Sequence, residues 1–553
     1  MFLEIELLYF VLMIATFVVL LLFAKLPSGL CLMASAVVGA IAYTIVAAVG
    51  GSAPSAIDLL RYLSEGTFGY LDTILVIVTA MVFMGAMQIS GALEYISALL
   101  VRTFRRVPSV LLILLMLIIM FPAMVTGSSL TSAITTGAMV APIMIKWGIP
   151  KNRVGAIVAV GAILGMVAPP INVPAMVICD VVDIPYVDFT LPLLMISVPA
   201  AIVCVLILGR KYVKALTKEE VEYVVDTSVL KELNWTVCIP MLVLIVLIVG
   251  EIVFPKIFGS VAMPAFFVVS TAIAFFVGRR LPFWKKQPEN RPKHAKPNCV
   301  VDVIRQSVHK SFGAMGLLMG VGMFMEIITL NGVRGYFALN ASALYYAVNP
   351  IVGYISMALT LPIFGGVSAF GSASVLGGPF VMMLNGIGDN VIVTCGLSLL
   401  AAIGEFLPPT AMSATLAAHM MGEKKWTKIT KSALPAVGVL FGYSLLYTIL
   451  FGQLVENDVS GNMTMILFFI TLGAAILFAI IWEVLVRTVP FFKKAAYQVV
   501  SSENQKESEQ IISEAVLEAA EEGNVFIPPE EEPEENSIAE IREKTDENDK
   551  EEK

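Results

Sequence analysis

Apolar runs of roughly 20 residues, the length needed to cross a hydrocarbon core, recur from residue 5 to residue 486, and short polar segments divide them. Taking Lys- and Arg-bearing span ends as cytoplasmic, the pattern predicts an external N-terminus and a first span at 5–24 that ends at Lys25. Residues 28–50 return outward, and 71–90 cross inward to Arg102, Arg105 and Arg106. Segment 108–145 follows Arg106 and precedes Lys146, Lys151 and Arg153, so both its ends read as cytoplasmic. Pro122 and the hydroxyl-rich run from Thr126 to Ser132 at its middle predict a re-entrant helical hairpin. Residues 154–180 then cross outward, 189–209 return to Arg210, Lys211 and Lys214, and 234–254 with 260–278 make a further pair.

A loop from Arg279 to Pro297, with seven Lys or Arg and four prolines, divides this half from the next. There the sense reverses. Residues 306–330 cross outward, and 344–387 read as a hairpin entered from outside. Residues 390–421 cross inward to Lys424, Lys425, Lys428 and Lys431, before 432–452 and 463–486 complete eleven crossings. The expected fold is an all-α polytopic membrane protein with an inverted repeat. Its parts are scaffold spans in 1–90, a first repeat in 91–214, more scaffold with a basic linker in 215–300, a second repeat in 301–452, a last span in 453–490 and a tail in 491–553. Glu94, Arg102, Arg105 and Arg106 fall on a segment that reads as an interfacial helix and carry no expected site.

The strongest internal signal is a repeated break. Ala162-Ile163-Leu164-Gly165-Met166-Val167-Ala168-Pro169-Pro170 recurs 239 residues later as Ala401-Ala402-Ile403-Gly404-Glu405-Phe406-Leu407-Pro408-Pro409. A proline pair removes two backbone donors and interrupts a helix. Interrupted helices persist in lipid only where protein or a water-filled cavity satisfies the freed carbonyls. Paired breaks in two halves point to a solute site at mid-membrane, as in secondary transporters.

Composition agrees: of 553 residues 58% are hydrophobic and 14% charged, with mean hydropathy +0.86. The formal charge of −7 hides two regimes. Residues 501–553 hold 19 acidic and 5 basic side chains, and the rest of the chain is net positive. That acidic tail is expected to be disordered, with at most a short helix around Ile511–Ala520, because it has too little apolar surface to bury. The N-terminus lacks a basic stretch and a small-residue cleavage site, so 5–24 reads as an uncleaved span. Scattered Cys and three distant His offer no transition-metal or disulfide framework. Hydrolase, zinc-protease and P-loop motifs are missing, so an enzyme is not expected and ATP is not the energy source. Nucleic acid is not an expected partner, and no cofactor is expected beyond a coupling ion.

Candidate chemistry sits at the hairpin tips and the breaks. Helix ends meeting at mid-membrane attract anions, and freed carbonyls with Ser and Thr hydroxyls form a hard-oxygen cage for a small cation. In the first half the expected set is Thr126, Gly127, Ser128, Ser129, Thr131 and Ser132, facing Gly165, Pro169, Pro170 and Asn172. In the second it is Ser368, Gly371, Ser372 and Ser374, facing Gly404, Glu405, Pro408, Pro409, Thr410 and Ser413. The competing reading is helix packing, which also favours small and hydroxyl residues. Glu326 and Glu405 lie inside apolar runs, where carboxylates are functional candidates by default, here for ion coupling. The alternative for each is a carboxylate held by backbone N–H groups or hydroxyls. The tips carry no Arg or Lys, so a substrate anion would meet neutral donors, helix ends or bound cations.

Gly127-Ser128-Ser129-Leu130-Thr131-Ser132-Ala133, Gly137-Ala138-Met139-Val140-Ala141-Pro142, Trp147-Gly148-Ile149-Pro150 and the Gly165 to Pro170 break resemble the large membrane subunit of tripartite ATP-independent periplasmic (TRAP) transporters. Asn385-Gly386-Ile387-Gly388-Asp389 and the Gly404 to Pro409 break resemble the corresponding second repeat. The likeness covers roughly residues 5–450. It implies an elevator mechanism in the bacterial inner membrane, with both hairpins and both broken helices sliding against a scaffold. It further implies sodium between tip and break in each half and an organic acid, such as a C4-dicarboxylate, between the tips. The implied partners are a small four-helix membrane subunit and a periplasmic substrate-binding protein. The alternatives are a stand-alone ion- or proton-coupled carboxylate carrier and, further off, a channel or membrane scaffold.

Overall fold

The computed structural model describes residues 5–24, 26–51, 54–186, 188–253, 263–278, 299–336, 339–340, 350–366, 368–384, 388–408, 410–423, 425–458 and 462–488. The basic linker, Pro409 and the acidic tail with its expected short helix lie outside these residues. Among the described residues all regular structure is helical, and seven helices are long and apolar enough to cross a membrane.

The helices gather into two large bodies. In the first, Pro108–Thr126, Lys151–Val167, Thr190–Gly209 and Trp426–Leu446 pack around a continuous apolar core. The second hairpin joins it through a smaller core, where Pro350–Gly365 lies against Asn390–Ile403. In the second body Ser28–Val49, Ala56–Gly69 and Leu71–Ile89 surround one long helix, Cys299–Leu330, with Ile5–Leu22 and Met263–Gly278 outside them. At 1.5 Å per residue that 32-residue helix is about 48 Å long, well over a hydrocarbon thickness. It begins seven residues before the expected position.

Glycines let the backbones of the second body approach closely, since lipid offers no hydrophobic drive and packing must supply the attraction. A Cβ on Gly29 would stand 2.5 Å from the Gly316 carbonyl oxygen, and one on Gly322 would stand 2.0 Å from that of Gly66. Helix Ala56–Gly69 was not expected from the apolar pattern. A reciprocal cap starts it: the Ser55 hydroxyl accepts from the Asp58 N–H while the Asp58 carboxylate accepts from the Ser55 N–H.

The last helix, Met463–Thr488, belongs with the first body. It lies along Thr190–Gly209, and the Trp482 indole donates to the Leu206 carbonyl at 3.1 Å. At its end the buried Arg210 guanidinium grips Glu483 with Nε and Nη2, both at 2.6 Å. Ser109, at the start of the first hairpin, donates to the same carboxylate. Three elements thus meet on one charge pair.

Candidate functional site

Each hairpin is built the same way. Helix Pro108–Thr126 carries Pro122 near its end and stops at Gly127, whose φ of 66° suits a residue without a side chain. A Cβ there would also strike Val173, at 2.4 Å. Ser128 caps the return arm by accepting from the Thr131 N–H, and Ser368 does the same for the second hairpin, accepting from Gly371 at 3.1 Å. One turn later each arm widens into a π-turn, at Ala133–Gly137 and at Ala373–Gly377. The Ser132 hydroxyl donates back to the Ile119 carbonyl, and Ser372 donates to that of Leu361. These two serines tie the arms together.

The breaks match as well. Helix Lys151–Val167 gives way at Ala168 and resumes as Val173–Val182, with Asn172 as its cap. Helix Asn390–Ile403 tightens through Gly404–Phe406, opens, and resumes as Met412–Met420. Gly165 nests against the first hairpin, where a Cβ would meet the Met120 carbonyl oxygen at 2.4 Å; Gly404 nests against the second, where a Cβ would meet the Gly365 carbonyl carbon at 2.3 Å. Each opened strand bonds to its own tip: Ile171 N–H donates to Met124, and Thr410 donates through N–H and hydroxyl to Gly366, at 3.2 and 2.7 Å. Ala411 takes a φ of 42°, a left-handed conformation unusual for a residue with a side chain.

The halves meet at Glu405. Its buried carboxylate accepts from Ser129 of the first tip at 2.7 Å and from Ser413 beyond the second break. Asn172 crosses the other way, with its amide donating to the Val167 carbonyl and to the Ser398 hydroxyl at 3.0 and 2.8 Å. Tyr186, which sequence reasoning passed over, steadies this first break by donating to the Pro170 carbonyl and accepting from the Asn172 N–H.

A cavity of about 720 Å³ lies between the two bodies. Thr126, Gly127, Ser128, Ser129 and Thr131 of the first tip line it, with Ser368, Glu405 and Thr410 of the second half. Ser132, Gly371, Ser372, Ser374, Gly165, Pro169, Pro170, Asn172, Gly404, Pro408 and Ser413 do not line it. Ser374 is buried without a hydrogen-bond partner among the described residues. Glu326 sits elsewhere, against Gly66 within the second body, and does not line the cavity. The facing wall comes from the second body: Ser28 to Met33, Ile77 to Ile89, and Val303 to Leu317. It contributes Gln88, Gln306, Ser307 and Lys310, none of them singled out from sequence. A heptad-like count along 299–330 would have placed Gln306 and Lys310 on one face, one turn apart, but not which body that face meets. Among the described residues no group of three or more His, Cys, Asp or Glu could hold a metal ion.

A multi-pass membrane protein, all-helical among the described residues, with two broken helices and a largely apolar cavity into which hydroxyls of both hairpin tips project, has the form of a transporter component. The family comparison agrees and is specific: residues 13–453 match the model of the tripartite ATP-independent periplasmic transporter, DctM component. The chain belongs to that family, as its large membrane permease. A comparison with curated proteins gave no match.

Proposed function

We propose that this permease imports a small organic acid with sodium as the coupling ion, by an elevator motion of the hairpin-bearing body against the other. The observation that carries the reading is the cavity: one wall is made of hairpin tips and a helix break, the other of the second helical body, against whose core Val125, Ile171 and Val173 of the first tip and break also pack. A site at such a boundary can pass from one side of the membrane to the other if one body slides, without a continuous pore. The matched tips and breaks support an inverted repeat, because the charge pattern gives the two hairpins opposite senses of entry.

The Glu405 carboxylate with the Ser129 and Ser413 hydroxyls offers a hard-oxygen set with one negative charge, suited to sodium. The first tip, with Ser128 and Thr131, and the second, with Ser368, offer hydroxyl donors to a carboxylate. The cavity volume exceeds a four-carbon acid and leaves room for water. Family membership makes a small membrane subunit and a periplasmic binding protein the natural partners.

The test is uptake of a labelled organic-acid panel into proteoliposomes, with and without an inward sodium gradient, using the chain alone and then with both partners. Uptake that needs the sodium gradient and both partners supports the reading. Sodium-driven uptake by the chain alone would replace it with a self-sufficient carrier, and uptake indifferent to sodium would remove the coupling.

A further inference from the structure

The two walls of the cavity differ in charge. The hairpin-bearing wall contributes Glu405 and the opposite wall contributes Lys310, the two charged lining residues among the described residues. Gln306 precedes Lys310 by four residues on the same helix, and Gln88 lines the cavity from the adjoining helix. These scaffold segments share a further property. Helix Ser28–Val49 begins just after Lys25, helix Leu71–Ile89 leads toward Arg102 to Arg106, and helix Cys299–Leu330 follows the basic linker. By the charge rule all three present their cytoplasmic ends to the cavity. Lys310 lies eleven residues into its helix, about 16 Å along the axis.

We propose that Lys310, assisted by Gln306 and Gln88, is a carboxylate-binding half-site on the scaffold, engaged by the substrate only when the hairpin tips face the cytoplasm. The proposal rests on the transport reading above and adds to it a stationary contact. Glu405 repels an anion, whereas an ammonium on the opposite wall attracts it and draws it off the tips toward release. Because Lys310 stays with the scaffold while the tips move, it contributes to binding on one side of the membrane and not on the other. A side-dependent affinity follows.

The experiment uses oriented membrane vesicles holding the full chain with its two partner subunits, and a panel of labelled mono-, di- and hydroxycarboxylates. With the acid that the wild type carries, half-saturation is measured from each face for Lys310→Gln and Lys310→Arg. A lost charge-assisted bond predicts a ten- to hundred-fold rise in the cytoplasmic-face value for Lys310→Gln. The external-face value should stay within about two-fold, and Lys310→Arg should restore most of the loss. Should Lys310→Gln not fold, as judged by size-exclusion profile, Gln306→Leu is read instead, with a rise of about three-fold or more on the cytoplasmic face alone. An unchanged cytoplasmic value, or an equal rise on both faces, overturns the half-site and leaves the transport reading intact. A wild type that carries no acid of the panel overturns both.

Discussion

Among the described residues Glu405 is the one buried carboxylate that touches both halves, and its side chain accepts from the Ser129 and Ser413 hydroxyls. An ionised carboxylate only accepts, whereas a glutamine amide presents a donor to one of those sites. Glu405→Gln therefore keeps the volume and removes the charge that a cation would need. The expected result is a ten-fold or greater rise in the sodium concentration for half-maximal uptake, with membrane insertion unchanged; a sodium titration of uptake checks it. An unaltered titration would leave Glu405 as a fastener between the halves. Not every hydroxyl at the tips has such a role. Thr126, Ser132 and Ser372 donate to carbonyls of their own hairpins, which is the packing alternative that the sequence left open. Spacing could place these side chains at the tip, but which way each hydroxyl turns depends on the arm it meets.

The hairpins and breaks were legible because prolines, glycines and serines interrupt otherwise apolar runs at matched places. The π-turns were not, since a wide turn has no side-chain signature, and helix Ala56–Gly69 was hidden by its polar face. Close approach at the breaks gives a direct test. In Gly404→Ala the new Cβ meets backbone of the facing hairpin, which cannot swing aside, so a loss of about 1–3 kcal/mol is expected. Gly438→Ala, with open space around it, serves as control. Thermal melting in detergent should fall for the first and not for the second. The larger Gly165→Leu and Gly404→Leu changes should abolish uptake in protein that still inserts. The Arg210–Glu483 pair makes a different kind of contact between elements. Removing one partner of a buried pair costs about 3–5 kcal/mol when the remaining charge has no other counterion, but Glu483 also accepts from Arg487 at 2.8 Å. Arg210→Met should therefore lower the melting temperature by less than a fully stranded charge would, and adding Glu483→Leu should recover most of it. If the double variant melts no higher than the single one, the pair's packing rather than its charge matters.

At the scale of the whole molecule, the division into two bodies was only half visible. Charge at span ends set the expected crossings, but the grouping of helix 299–330 with 28–49, 56–69 and 71–89 depends on glycine contacts between distant segments. The same limit hid Lys310, whose helix gives no sign of what it faces. If the bodies slide, bridging the cavity should stop transport. Gln88→Cys with Ser128→Cys in a background free of other cysteines, treated with a cleavable bifunctional thiol reagent, is expected to reduce uptake to below a tenth. A reductant should restore it. Uptake that persists after verified crosslinking would exclude relative movement at this boundary.

The last helix has a practical consequence for anyone shortening this chain. The family match stops at residue 453, which looks like a natural place to cut. A protein trimmed there would keep Arg210 and Ser109 but lose Glu483, leaving the guanidinium at the end of its span without its carboxylate. A workable minimal carrier would have to retire the arginine together with the helix, so the segment outside the family's boundary is an obligatory counterweight of this particular permease rather than an appendage.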